Sequence, residues 1–586
     1  MQEWYWPRNA TLTSAVTDES NVIPFRLRVG VTGHRTLSDV HQLELSVASV
    51  LDQVADRFPA DRTPVVCRVV SPLAEGADRL VARTVLERPG ADLIVPLPFA
   101  RERLMKDFAT QESKAEFDEL YKRAVFHRVT IGTGQLSDDE RHERVGHDVV
   151  DHADVLIALW DGLPSRGVGG TASIVHYARG GSLEPAPPVS AATRLTRWLR
   201  DDPDDPDARR IPTFVVRTDR RGAVETYFDE RDWEGVRAAY RELDHFNRFE
   251  PAKRAFRRDI PRNLAELRAP LDSLRDGSRN PSELARFKAI TASLEAWVLP
   301  AFGRADTGAT SSRNQVATIG VGTALLAAAA VSSAAARVVL VPHTSSLTWA
   351  EVAFVSAVLG SRIFVMRQHA HTRWVSFRAL AEMLRVMPYI VLAHRGASAI
   401  DVGRSRTADG VRPPTVQMEW FRRAVEEVWK RRPTIRLDAA DLPWFRALIV
   451  ARWIGGQISY HKRRSHQHQT WHRLLRGGVL VAFTATFVCA LLDALDHGNE
   501  ITVFLSIALP ALGGALSYIE GHQEHGRHAE RYRWTLSQLD DLQRRGERAQ
   551  HINELAAVAR DMLQLMDIEN ADWADVMWVR DIELSV

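Results

Sequence analysis

FRLRVGVTGHR, residues 25–35, decides how the first third of the chain is read. Its apolar, β-branched run ends abruptly in a glycine turn, the pattern of a strand delivering its carboxyl end into a loop. Similar runs follow at VVCRVVSPL (65–73), ADLIVPLPF (91–99), VFHRVTIG (125–132), ADVLIALWDG (153–162) and IPTFVVRT (211–218). Helical stretches separate them, DVHQLELSVASVLDQVADRF being the first. Apolar strands alternating with helices predict an α/β domain with a Rossmann-like, doubly wound parallel sheet covered on both faces. Ligands in such sheets bind beyond the carboxyl ends of the strands.

Three segments fall at those ends. GVTGHR carries Gly30, Thr32, Gly33, His34 and Arg35, where glycine admits a phosphate close to the backbone and Thr32 and Arg35 can hydrogen-bond it. SPLAEGADRL offers Ser71 as an anion donor, Glu75 and Asp78 for ribose hydroxyls or a helix cap, and Gly76 at the turn. DGLPSRGVGGTASIVHYA places Gly167, Gly169, Gly170 and Thr171 in a loop opening a helix, whose amino-terminal amides favour anions. Neither GxGxxG nor a Walker A motif occurs, which argues against a standard dinucleotide or P-loop site.

These three motifs in order, with DHADVLIALWDG before the last, make residues 24–220 resemble the SLOG superfamily, Rossmann-like domains related to LOG proteins and to DNA-processing protein A. The resemblance implies a nucleotide or nucleotide-derived ligand, its phosphate held by the Gly-Gly-Thr loop. LOG phosphoribohydrolases carry PGGxGTxxE; here the loop reads GVGGTASI and Ile174 stands at the glutamate position. That departure favours a binding, sensor-type member, so no catalytic residue is assigned. Glu75 and Asp78 keep a hydrolase reading open as an alternative.

Composition bounds the rest. The chain has 586 residues, 45% hydrophobic and 26% charged, too apolar for global disorder. Its 76 basic and 74 acidic residues give a net charge of +2, no basis for expecting a nucleic-acid partner. Two cysteines exclude a disulfide framework or a cysteine zinc site. His461, His466, His468 and His472 lack acidic partners in a ligand pattern, so no metal or other cofactor is expected. MQEWYWPRNA does not read as a secretory signal.

Apolar blocks then interrupt the polar chain. Arg313 and Arg337 bracket 23 uncharged residues, 16 more run from Gly477 to Leu492, and 19 from Ile501 to Ile519. With LTWAEVAFVSAVLGSRIFVM (347–366) they predict an all-α membrane region of four transmembrane helices in two hairpins, about 315–338 with 346–366 and 475–493 with 501–519. Basic residues flank one side of the hairpins, which predicts cytoplasmic termini and a cytoplasmic 369–474 region. The expected division is a 1–23 tail, a 24–220 nucleotide-binding domain with a flexible insertion at 183–208, a helical connector at 221–312, hairpins at 313–368 and 475–520, and carboxyl-terminal helices at 521–586.

Two-span hairpins with long cytoplasmic helices are similar to the SLATT class of membrane effectors, and a loose RALAE/LRV signature (378–386) adds to this. The two resemblances together imply a multi-pass protein of the bacterial inner membrane that oligomerises with itself and forms a pore when a nucleotide signal arrives, in anti-phage or conflict defence. A membrane-tethered phosphoribohydrolase or nucleosidase, and a scaffold with a vestigial α/β domain, stand as alternatives.

Overall fold

A computed structural model describes residues 22–59, 62–129, 136–164, 170–180, 210–250, 281–341, 345–368, 370–394, 419–523 and 525–566. The expected insertion at 183–208, and Gly167 and Gly169, lie outside the described residues. The chain divides into two units.

The α/β unit takes Val22–Arg248 and Pro413–Glu427, of which 419–427 are described. Its elements are β1 (Phe25–Gly33), α1 (Val40–Ala55), β2 (Val65–Val70), α2 (Ala77–Leu86), β3 (Asp92–Leu97), α3 (Gln111–Arg123), β4 (Phe126–Val129), α4 (Asp138–Asp151), β5 (Val155–Trp160), α5 (Thr171–Ala178), β6 (Thr213–Arg217), β7 (Val224–Tyr227) and α6 (Glu234–Arg248). The sheet order is β4-β3-β2-β1-β5-β6-β7. Every pairing is parallel except β6 with β7. The chain steps outward from β1 to β4, then returns to the other side of β1 with β5, in the register Val29 to Val155 through Gly33 to Leu159. The order therefore reverses between β1 and β5, which is where open α/β sheets form a ligand crevice. All six residues of β5 are buried, as a central parallel strand requires.

The unit continues past residue 220. Strand β7 adds an antiparallel edge, and α6 closes an aromatic core in which Tyr240 packs 5.5 Å from Phe25 and 5.3 Å from Phe58. Asn247 ties α6 to the strand entry: its amide donates to Ile23 O at 2.8 Å and to Thr63 Oγ1 at 2.9 Å, and its Oδ1 accepts from Ile23 N–H at 3.1 Å.

The first nine residues of the helix Glu419–Lys430 (α7) also belong here. They meet charged side chains near the amino-terminal ends of the strands. Arg26 pairs with Glu427 and with Asp92 at 3.2 Å. Arg68 pairs with Asp92 at 2.6 Å and Glu426 at 3.1 Å, and Arg28 with Glu419 at 2.8 Å. Arg423 grips Asp154 with two nitrogens, at 2.8 and 2.5 Å, and donates to Arg26 O at 2.6 Å. Arg26, Arg28, Arg68, Asp92, Asp154, Arg423 and Glu427 are all buried. Buried charges persist only when paired and hydrogen-bonded. Burial alone raises the Asp154 pKa, but Arg423 and Arg28 pull it below the ordinary carboxylate value. Burial raises that of Glu419 too, and Arg28, Arg423 and Arg422 hold it well below that range.

The helical unit spans Phe249–Arg412 and Val428–Val586 where described. It contains α8 (Pro281–Val339), α9 (Ser345–Gln368), α10 (Ala370–His394), α11 (Gly455–Ala494, continuing a π-helical turn at Ala447–Ile454), α12 (Glu500–Gln523) and α13 (His525–Arg548), then a helix over 552–566. The expected connector and first span share α8, 59 residues in one helix and about 88 Å long. Ala324 of α8, Leu475 of α11, and Ala515 and Ile519 of α12 form a common core. Outside it, large apolar side chains such as Leu480, Phe487 and Ile501 stay exposed.

Three helical stretches among the described residues, not four, are long and apolar enough to cross a membrane: Ala285–Val339, Ala439–Ala494 and Glu500–Gly521. The expected span at 346–366 forms a helix, α9, but is not among the three; its side chains at 362 and 365–368 lie outside those described. Helix α9 makes polar bonds to α8, Arg337 to Glu351 at 3.4 Å and Thr323 Oγ1 to Ser361 Oγ at 2.9 Å.

Candidate functional site

The carboxyl ends of β1 and β5 bring the first and third motifs together. His34 N–H donates to Leu159 O at 3.0 Å, extending the β1–β5 ladder one residue past the strand. The imidazole then crosses the gap: His34 Nε2 accepts from Asp161 N–H at 3.1 Å and lies 3.2 Å from Asp161 Oδ1. Accepting that bond leaves Nδ1 as the protonated nitrogen of the neutral ring. The Leu163 N–H, at 3.0 Å, and the neighbouring His34 lower the Asp161 pKa.

Two glycines make this turn possible. Gly33 has no room for a Cβ, which would strike Ala77 and lie 2.7 Å from Leu159 O. Gly76 caps α2 with φ at +81°, and any side chain there would run into the His34 and Arg35 carbonyls. The Ala77 N–H donates to His34 O at 3.0 Å. The first motif's backbone therefore occupies the amino terminus of α2, which cannot also bind a phosphate in the usual way. Gly30 sits lower in β1, where a Cβ would press on Ala153 and Val149, so its role is packing. Thr32 is half-buried in the strand.

The second motif folds largely onto itself. Ser71 is fully buried; its hydroxyl donates to Asp78 O and accepts from Leu73 N–H, both at 3.1 Å. Asp78 Oδ2 accepts from Ala74 N–H at 3.2 Å. Glu75 accepts from the Ser113 hydroxyl. Arg79, also buried, donates to Leu73 O at 3.0 Å and pairs with Glu116 at 2.9 Å. Leu73 is held at φ +60°, a strained conformation for a non-glycine residue and one that such a bonded loop can maintain. Burial pushes the Asp78 carboxyl up to about 7, against the pull of the Ala74 amide, Arg35 and Arg79.

Arg35 is exposed, and among the described residues its guanidinium makes no hydrogen bond or ion pair. It lies near enough to act on Asp78 and on His142 of α4. Burial, then Arg35, lowers the His142 pKa, against Asp107, Asp138 and Asp139. The His142 ring meets Phe99, just past β3, edge-on at 5.6 Å. Sequence reasoning missed Asp161 as a partner of His34, and missed Phe99 and His142. Asp161 was legible as the first polar residue after β5; nothing in the sequence brings His142 to this end of the sheet.

In the third motif, Gly170 caps α5 and its carbonyl accepts from Ser173 and Ile174 N–H at 2.9 and 3.2 Å. The N–H groups of Thr171 and Ala172 bond to no described residue, so this helix start keeps donors for an anion. Ile174 is buried and fills the space beside Gly146 of α4, so the position of the LOG glutamate is a core contact. Among the described residues no group of three or more potential metal ligands occurs. The chain matches no protein-family model and no curated protein.

Proposed function

We propose that the chain is a membrane-anchored sensor and effector. Its SLOG-like α/β unit binds a nucleotide or nucleotide-derived signal at the β1/β5 crevice. Binding biases a self-associating helical unit between closed and open states, gating or assembling a pore in a bacterial membrane during anti-phage or conflict defence. The observation that carries the reading is the Arg35 guanidinium at the switch point, unpaired among the described residues, which also hold three helices of membrane-spanning length. Arg35 and the Thr171 and Ala172 amides supply cationic and N–H donors for phosphate, and His34 Nδ1 supplies a further donor. Glu75 and Asp161 are acceptors for ribose hydroxyls. A ligand moves the helical unit only by its differential affinity for the two states.

The test is a nucleotide panel against the full chain in detergent, scored by thermal shift, with each nucleotide recovered and chromatographed. A nucleotide that raises the melting temperature and emerges intact, with Arg35→Ala abolishing the shift, meets the expectation. No shift with any nucleotide sinks it.

The second reading, a tethered phosphoribohydrolase or nucleosidase, draws support from Asp78, whose carboxyl titrates near neutrality where a general acid or base works best. Free base in the same tubes, lost in Asp78→Asn, would select it.

A further inference from the structure

Helix α11 carries a surface that neither the crevice nor the core uses. Between Gly455 and Arg476 it has Lys462, Arg463, Arg464, Arg473 and Arg476 and no carboxylate. Lys462, Arg463, Arg473 and Arg476 are exposed, and among the described residues none of the four has an ion-pair partner. On this stretch the carboxylate of Glu520 is taken by His472, at 2.8 Å.

Three of these cations, Lys462, Arg473 and Arg476, stand on a face that changes character along its length. Lys462, Arg473, Arg476, Leu480, Phe487 and Leu491 are spaced 11, 3, 4, 7 and 4 residues apart, so they project from one side of the helix. The side is basic up to Arg476 and apolar from Leu480 on. Leu480 and Phe487 are 69% and 67% exposed. From Gly477 to Ala494 the helix rises about 27 Å, close to the hydrocarbon thickness of a bilayer. Arg473 and Arg476 then sit within about one turn of the apolar boundary, at phosphate height. The far end reverses the sign: Asp493, Asp496 and Glu500 lie there with no Lys or Arg.

We propose that the Lys462–Arg476 face of α11 is a binding surface for anionic phospholipid headgroups at one membrane interface. An unpaired cation beside an anionic leaflet contributes about fivefold in affinity. Continuity with an exposed apolar face favours lipid over nucleic acid, which would need no apolar extension. The inference rests on reading α11 as membrane-crossing.

The experiment uses the full chain, delipidated in detergent, offered phosphatidylglycerol and phosphatidylcholine of identical acyl chains, with bound lipid counted by native mass spectrometry. The expected result is about tenfold preferential retention of phosphatidylglycerol. The preference should fall in 1 M salt, where the screening length is about 3 Å. Lys462→Gln/Arg463→Gln/Arg473→Gln/Arg476→Gln should bring it close to one. Arg473→Lys/Arg476→Lys should keep most of it, because charge and not fork geometry is required. If the fourfold variant misfolds, Arg473→Gln/Arg476→Gln alone should lower the ratio several-fold. Equal retention by the wild-type chain, or an unchanged ratio in a folded variant, overturns the proposal. So does an RNA oligonucleotide that displaces phosphatidylglycerol and binds through the same arginines. Incorporation into pure phosphatidylcholine nanodiscs is scored separately: failure there removes the membrane reading itself, whereas incorporation without a lipid preference removes only this surface.

Discussion

The two ends of the parallel sheet use the same residue types to opposite effect. At the amino-terminal ends, Arg26, Arg28, Arg68 and Arg423 are buried and matched by Asp92, Asp154, Glu419, Glu426 and Glu427. At the carboxyl ends, Arg35 is exposed and has no ion-pair partner among the described residues, and a carboxyl, Asp78, is buried with only partial compensation. A paired, desolvated charge holds structure together, because losing one partner strands the other. An exposed cation with no partner among the described residues adds little to the resting fold and keeps its capacity for a ligand.

Breaking the closed end should give the largest effect. Arg423→Ala leaves Asp154 buried without its partner and should destabilise the α/β unit by about 3–5 kcal/mol, read as a drop in melting temperature. The depressed pKa of Asp154 and Glu419 also fixes a sign. Their stabilisation is present above the unfolded carboxylate value and is lost as pH falls through the lower folded values.

Asp78 should show the reverse sign. Its folded pKa of about 7 stands above the unfolded 3.8, so its stabilisation is full below the unfolded value and is lost as pH rises through 7. Asp78→Asn should flatten stability between those pH values, removing a dependence of as much as about 4 kcal/mol, seen in melting temperature against pH. An unchanged slope would mean that the Asp78 carboxyl is better solvated than its burial implies. Gly76→Ala should cost about 1–3 kcal/mol, since it puts a methyl group at positive φ against two carbonyl oxygens.

Much of this was legible in the sequence, and the rest was illegible for definite reasons. The six parallel strands follow from apolar runs ending in turns, and GVTGHR marks the switch point because it ends the central strand. The three glycine motifs read alike, yet they separate in the structure. Ser71 and Asp78 spend their polar atoms on their own loop, while the Thr171 and Ala172 amides bond to no described residue. That distinction depends on hydrogen bonds, which composition does not encode. Arg26 and Arg28 have partners on α7, about 400 residues away, and no local pattern in the sequence couples the two segments.

The smallest stability effect is the sharpest test of the contrast. Arg35 is exposed and bonded to no described residue, so Arg35→Ala should shift stability by less than about 0.5 kcal/mol. It should nevertheless abolish the nucleotide-dependent thermal shift, because a guanidinium–phosphate pair is charge-assisted and often bidentate. Arg35→Lys should retain part of that shift, keeping the charge and losing the fork. The informative comparison is therefore with Arg423→Ala, which should lower the melting temperature with and without nucleotide. If Arg35→Ala destabilised the chain as Arg423→Ala does, Arg35 would belong to the structural charge network, and the open end of the sheet would lose its claim to a ligand. If it changed neither stability nor the nucleotide shift, the phosphate would have to be held by the α5 amides alone, and Thr171→Pro, which removes one of those donors at a helix position that tolerates proline, becomes the substitution that should abolish binding.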